Sequence, residues 1–281
     1  MKVEEISVYD CKPFKDNPFK VRDDLDMEML IQSIKDSGVM YPIMVRPMGM
    51  EDGPGYEIIS GHRRVHACKM AGIKTIPAFI RDMDRDEAVI CMVDSNLQRE
   101  SLLPSEKAFA YKMKVEALSH QGKASVQPGQ KSSRGLVAES AGESETQVQR
   151  YIRLTYLEKP LLELVDEGRI ALTPAVELSF LSPEEQQAII ETYESDEITP
   201  SYSQAVRMRK MSEAEGLTMD DVFEIMTEVK GNQKEYLKLP AERYERYLGR
   251  FHTPKDKEDF ILKALDYYTR YLERQRSHDA R

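Results

Sequence analysis

Three short stretches carry side chains whose types and spacing could do chemistry. The first is "EIISGHRRVHACKMAG", residues 57–72, where a strand-like run becomes a helix-like run at Gly61. The first turn of a helix has unpaired N–H groups and a partial positive charge, so it suits an anion. Arg63 and Arg64 stand at that end, where cations oppose the dipole unless something negative joins them. From Gly61 to Arg85, six Lys/Arg (63, 64, 69, 74, 81, 85) face two Asp (82, 84), a local reversal of sign in a chain of net charge −9. Arg64 lies within the first turn after Gly61, so its guanidinium is able to fork onto a phosphate. Pairing of both arginines with surface carboxylates is the plainer alternative.

The second stretch is "MVDSNLQRESLLPSEKA", residues 92–108. Asn96 and Arg99 are one helical turn apart and can face one site. Asp94 and Glu100 are nearby carboxylates able to hold Mg²⁺, a hard ion that takes oxygen ligands and shares them with phosphates. Taken alone, this stretch is better explained as an ordinary polar helix end. The third is "RGLVAESAGESETQVQRYIRLTYL", residues 134–157, which reads as helix, tight turn at Gly142, helix. Ser144 is a good N-cap, with Gln147 three residues on. Val148, Tyr151 and Ile152 fall on one side of the second helix and should pack on the first. Thr146, Arg150 and Arg153 fall on the other, flanked by Gln147 and Gln149. Arg and Gln fork onto purine edges in the major groove, so this is a candidate helix-turn-helix with the second helix as reader. Its plainer reading is a helical hairpin with a solvated face.

The elements that must position these groups divide the chain. Residues 1–100 alternate short strands ("ISVYD", "YPIMVRP", "YEIIS", "IPAFIRD") with helices, of which "DMEMLIQSIKDSG" stops at Gly38. Residues 101–200 are helical, interrupted by the Gly-, Pro-, Gln- and Ser-rich run 120–133, a loop or linker. Residues 217–281 end in an amphipathic helix in which Ile261, Leu265, Tyr268 and Leu272 step by 4, 3 and 4, a heptad seam widened by Phe260, Tyr267 and Tyr271. The expected class is α+β: a small mixed α/β N-terminal domain, an all-α middle domain and a mainly helical C-terminal region. No run approaches the roughly 20 apolar residues of a membrane span, and "MKVEEISVYD" is too polar for a secretory signal. Cys11, Cys68 and Cys91 show no metal-type spacing, and three cysteines argue against a disulfide framework, which suggests a reducing cytoplasm.

The order of the motifs is more specific than any one of them. "NPFKVRDDLDMEMLIQSIKDSGVMYPIMVRP", "ISGHRRVHACKMAG", "SNLQRESLLPSEKAFAY" and then a helix-turn-helix closely resemble the ParB family of DNA-partition proteins over about residues 15–195. The resemblance implies an N-terminal domain that binds CTP with Mg²⁺ and a middle domain that grips a palindromic, centromere-like site on double-stranded DNA. It also implies a C-terminal region that makes a homodimer, closure into a clamp around DNA, a ParA-type ATPase as partner, and a cytoplasmic, nucleoid-associated location. Carried over by position, Pro42, Ile43, Val45 and Arg46 match the family's first nucleotide motif. Gly61, Arg63, Arg64 and Ala67 match its phosphate motif, and Asn96, Gln98 and Arg99 its third, with Asp94 and Asn96 on the metal side. Ser144, Thr146, Gln147, Gln149, Arg150 and Arg153 are the DNA-facing candidates.

This sequence departs from the family at two site positions. His62 stands where the family commonly has Glu, and Ser95 where it has the Glu beside Asn96, so hydrolysis of CTP is expected to be slow or lost. With only Lys2 basic before Lys12, the basic tail by which many relatives stimulate a ParA-type ATPase is missing. The alternatives are a ParB-like transcriptional regulator without a nucleotide switch, and a ParB-fold nuclease or phosphotransferase.

Overall fold

The structure, a computed structural model, describes residues 2–49, 53–99, 102–122, 132–214, 216–228, 247–249 and 253–279. The chain forms two compact units, Met1–Glu228 and Val229–Arg281. Glu100 and residues 123–131, the bulk of the expected linker, lie outside the described residues.

The first unit begins with a five-stranded mixed sheet, β1 (Val3–Ser7), β2 (Cys11–Lys12), β3 (Ile43–Pro47), β4 (Tyr56–Ser60) and β5 (Thr75–Ile80), in the order β1-β5-β3-β4-β2. β3 sits centrally, parallel to β5 and antiparallel to β4. The strand expected over "ISVYD" lies earlier, at Val3–Ser7: Val8–Asp10 turn as a 3-10 segment capped by the Ser7 hydroxyl, which accepts from the Tyr9 N–H.

The sheet is apolar on both faces, which places helices on each. Ile43, Val45, Ile58, Ile76 and Ala78 meet α1 (Leu25–Ser37) and α2 (His62–Ala71) in one core layer. Ile59 meets α3 (Arg85–Leu97) and α4 (Pro104–His120) in the other. Ile58 and Ile59 are adjacent and both buried, as alternation demands of a strand covered on two sides. Local chemistry sets the helix ends. Asp24 accepts from Met27 N–H and starts α1; Asp84 accepts from Glu87 N–H and starts α3; Gly38 ends α1 at φ 71°.

α5 (Ser133–Ala141) ends at Gly142, φ 67°, and α6 (Glu145–Arg153) starts at Ser144, whose hydroxyl accepts from Gln147 N–H at 3.2 Å. Val148 is wholly buried with Tyr111, Leu118, Val137 and Ala138, and Tyr151 and Ile152 pack beside it. The two helices thus fold against α4, as their apolar stripes require. α7 (Lys159–Asp166), α8 (Leu172–Leu178), α9 (Pro183–Asp196), α10 (Tyr202–Ala214) and α11 (Met219–Thr227) share a further core. α11, expected from its place in the chain to belong with the C-terminal region, packs here through Val222, Ile225 and Met226.

The second unit contains α12 (Pro254–Asp279), with Leu265, Tyr267, Tyr268 and Tyr271 exposed. Tyr268 and Tyr271 stack with ring centroids 6.3 Å apart. Among the described residues no helix is long and apolar enough to cross a membrane.

Candidate functional site

The strand-to-helix turn at Gly61 sets the first turn of α2 beside a cluster of arginines, an arrangement able to take an anion. Gly61 is the N-cap of α2 at φ 105°, ψ 21°, a conformation that L side chains rarely adopt. A Cβ there would stand 2.5 Å from Ile43 Cγ2 and 3.2 Å from Arg64 Nη2, so the glycine also lets the turn close onto β3. Beside it opens a cleft of about 440 Å³, lined by Ser60, Gly61, Arg63, Arg64, Ser95 and Arg99, with Asp26 and Leu30 contributed by α1.

The three arginines are held from different sides. Arg64 Nη1 donates to the carbonyls of Tyr41 and Pro42 (2.8 Å to the latter), which leaves its Nε and Nη2 donors for the cleft. Arg63 is only 3.7 Å from Asp24, itself occupied in capping α1. Arg99 lies over the ring of Phe19 at 5.9 Å. Burial holds the Arg99 guanidinium below its ordinary pKa and the charge of Arg63 lowers it further, with Glu106 opposing. Two like charges drawn together in a half-buried cleft are costly unless an anion sits between them.

His62, the first residue of α2, takes the Phe14 N–H on its Nε2 at 3.3 Å. Burial, then the charge of Arg99, pushes its pKa down to about 4, with Glu57 pulling the other way. The imidazole is therefore neutral and an acceptor, tying the loop before α1 to the turn at Gly61. The family resemblance marks His62 as a departure without revealing this bond, because its partner is 48 residues away.

Several sequence-derived assignments are corrected. Ile43, Val45 and Ala67 are wholly buried in the core, so their side chains support the cleft from beneath and cannot touch a ligand. Arg46 is paired across the strands with Glu57 at 2.7 Å, and Glu57 also accepts the Lys15 N–H. Arg46 stands opposite Glu57, three residues before Ser60, about 10 Å along the strand from the cleft. Pro42 contributes its carbonyl to Arg64. On the metal side, Asp94 lies outside the cleft and is bound to the buried Lys114, which also donates to Ser140 Oγ at 2.6 Å. Asn96 is buried, with its amide donating to Met92 O at 2.7 Å. Asp94 and Asn96, two residues apart on α3, point to different sides of the helix, and together they do not fit Mg²⁺. Among the described residues no group of three or more His, Cys, Asp or Glu could hold a metal ion.

On α6 the DNA-facing candidates divide. Thr146 and Gln149 are exposed. Gln149 accepts from Arg134 of α5 at 2.7 Å, and Arg150 donates to Thr173 of α8 at 2.6 Å. Both pairs remain at the surface, adding Arg134 and Thr173 to the residues that shape this face. Gln147 is partly exposed, while the Ser144 hydroxyl is spent on the cap. Arg153 is a correction. Its guanidinium donates to Ser179 Oγ (3.1 Å) and O (2.7 Å) and lies between Tyr156 and Phe180, 4.5 and 3.8 Å from their centroids. It fastens α6 to the end of α8 instead of reading a groove.

Residues 1–97 match the ParB N-terminal domain family. The probable chromosome 1-partitioning protein ParB of Deinococcus radiodurans is 34% identical over 159 residues, 56% of this chain and 49% of that protein. The chromosome-partitioning protein Spo0J of Thermus thermophilus is 31% identical over 184 residues, 66% of this chain and 62% of that protein. This chain thus spans about half to three-fifths of the length of these curated relatives. A solved structure of C-terminally truncated ParB from Caulobacter crescentus, complexed with CTP-gamma-S, is 26% identical, covers 64% of this chain and 92% of that one, and has a TM-score of 0.33.

Proposed function

Because the chain belongs to the ParB family, we propose that it is a sequence-specific DNA-binding partition protein whose cleft takes the phosphates of CTP. The observation that carries this reading is the convergence of Arg63, Arg64 and Arg99 on the left-handed turn at Gly61. In it, the backbone N–H groups at the start of α2 meet the phosphates, Arg64 forks onto them, and Arg63 and Arg99 neutralise the rest. α6 presents Thr146, Gln147, the Gln149–Arg134 pair and Arg150 to an inverted repeat on double-stranded DNA. The exposed Leu265, Tyr268 and Tyr271 of α12 make the homodimer that such a repeat requires, and the protein works on the nucleoid in the cytoplasm, with a ParA-type ATPase as its motor.

Hydrolysis is not needed for this role, and Ser95 supplies no carboxylate for it. Nuclease or phosphotransfer chemistry at Asp94 finds no support, since that carboxylate is occupied by Lys114.

Titration calorimetry of CTP, ATP and GTP against the protein and against Arg64→Ala and Arg99→Ala tests the reading. Each lost charge-assisted contact is worth about 1.5–3 kcal/mol, roughly 10- to 150-fold in affinity. Arg99→Ala guards against a folding defect in Arg64→Ala, because among the described residues Arg99 makes no side-chain hydrogen bond comparable to those of Arg64 to the Tyr41 and Pro42 carbonyls. CTP affinity unchanged in both variants would refute the assignment.

A further inference from the structure

We infer that the cleft binds its nucleotide triphosphate without a divalent metal. This rests on reading the cleft as a nucleotide site, and it departs from what the family resemblance implies. Mg²⁺ in nucleotide sites keeps several waters and is held by one or two protein carboxylates together with phosphate oxygens. Of the side chains offered for that purpose, Glu100 lies outside the described residues, and those that are described are committed elsewhere. Asp94 lies outside the cleft, on Lys114, whose side chain is 4% exposed and would be left buried and unpaired if the carboxylate swung away. Asn96 is buried and does not line the cleft, where its carbonyl oxygen would have to stand to reach an ion; its Nδ2 donates to Met92 O of its own helix. Ser95 does line the cleft, but its hydroxyl donates to Met92 O at 2.9 Å and receives the Asn96 amide at 3.3 Å.

What remains is a cleft with three guanidiniums and, among the described residues, one carboxylate, that of Asp26. His62 adds no negative charge where an acidic residue is usual in the family, and its neutral ring adds no positive one. Such a site is complementary to the fully charged phosphates themselves. Chelation by Mg²⁺ cancels two of those negative charges, and here the protein offers the ion little in return, so the metal weakens the attraction instead of completing it.

Calorimetric titration of the intact protein with CTP, once in EDTA and once in excess MgCl₂, decides between the two. The expected result is an affinity in EDTA equal to or up to about tenfold tighter than in Mg²⁺. Asp26→Asn, which removes the carboxylate from the rim, should tighten metal-free binding further. Binding that appears only with Mg²⁺, or that falls about tenfold in EDTA, overturns metal-free binding while leaving the cleft a nucleotide site. Mg²⁺-dependent binding that is lost in Asp26→Asn would place the ion on that side chain and overturn it equally. Absence of binding under both conditions removes the nucleotide reading itself, and metal-free binding with it.

Discussion

Replacing Gly61 by alanine sets a methyl group 2.5 Å from Ile43 Cγ2 and 3.0 Å from Ile43 Cβ. Neither side can yield cheaply. Ile43 is wholly buried on β3, which is hydrogen-bonded to a strand on each side, and Gly61 is anchored because Val65 N–H donates to its carbonyl at 3.0 Å. The left-handed backbone costs an L residue about 1–2 kcal/mol, and forcing a methyl into a packed core about 1–3 kcal/mol. The expected loss is therefore roughly 2–5 kcal/mol. Ile43→Ala alone should cost about 2–5 kcal/mol by leaving a cavity. In the double variant the new methyl occupies part of the space that Ile43 vacates. The backbone cost stays, the steric cost does not, and the pair should fall short of the sum of the single losses by about 1–3 kcal/mol. Native-state amide exchange over β3 and β4 reads this locally, without assuming that both units unfold together. A Gly61→Ala loss below about 1 kcal/mol, or strict additivity with Ile43→Ala, would refute the claim that this turn requires glycine.

Arg153→Ala should destabilise the helical part of the first unit by about 2–4 kcal/mol, from two hydrogen bonds to Ser179 and the stacking on Tyr156 and Phe180. Arg153→Lys should recover little of it, because an ammonium cannot make the planar double contact. Urea unfolding followed by circular dichroism measures both, and a stability-neutral Arg153→Ala would return this residue to the DNA face. For His62 the folded pKa of about 4 lies below the ordinary 6.5, so between these values the unfolded chain binds more protons than the folded one. Stability contributed by the neutral ring is then complete above about pH 6.5 and is lost as pH falls toward 4, by up to about 3 kcal/mol. His62→Gln keeps an acceptor for Phe14 N–H and should flatten that part of the stability profile; an unchanged profile would show that His62 is not the titrating group.

Several signals were legible in the sequence because their cause is local. Ser144 caps a helix within three residues of itself, Gly38 and Gly142 stop helices, and the apolar spacing of Val148, Tyr151 and Ile152 predicts the face that packs. The strand-to-helix turn with its arginines was legible for the same reason. Only the tertiary structure decided which of the charged groups are available. Arg46 is consumed by Glu57, Asp94 by Lys114 and Arg153 by Ser179, and each partner belongs to a different element. A guanidinium or carboxylate has the same identity in the sequence whether it faces a ligand or a neighbouring helix. Its chemistry is set by the nearest opposite charge or polar group, and that depends on how the elements pack.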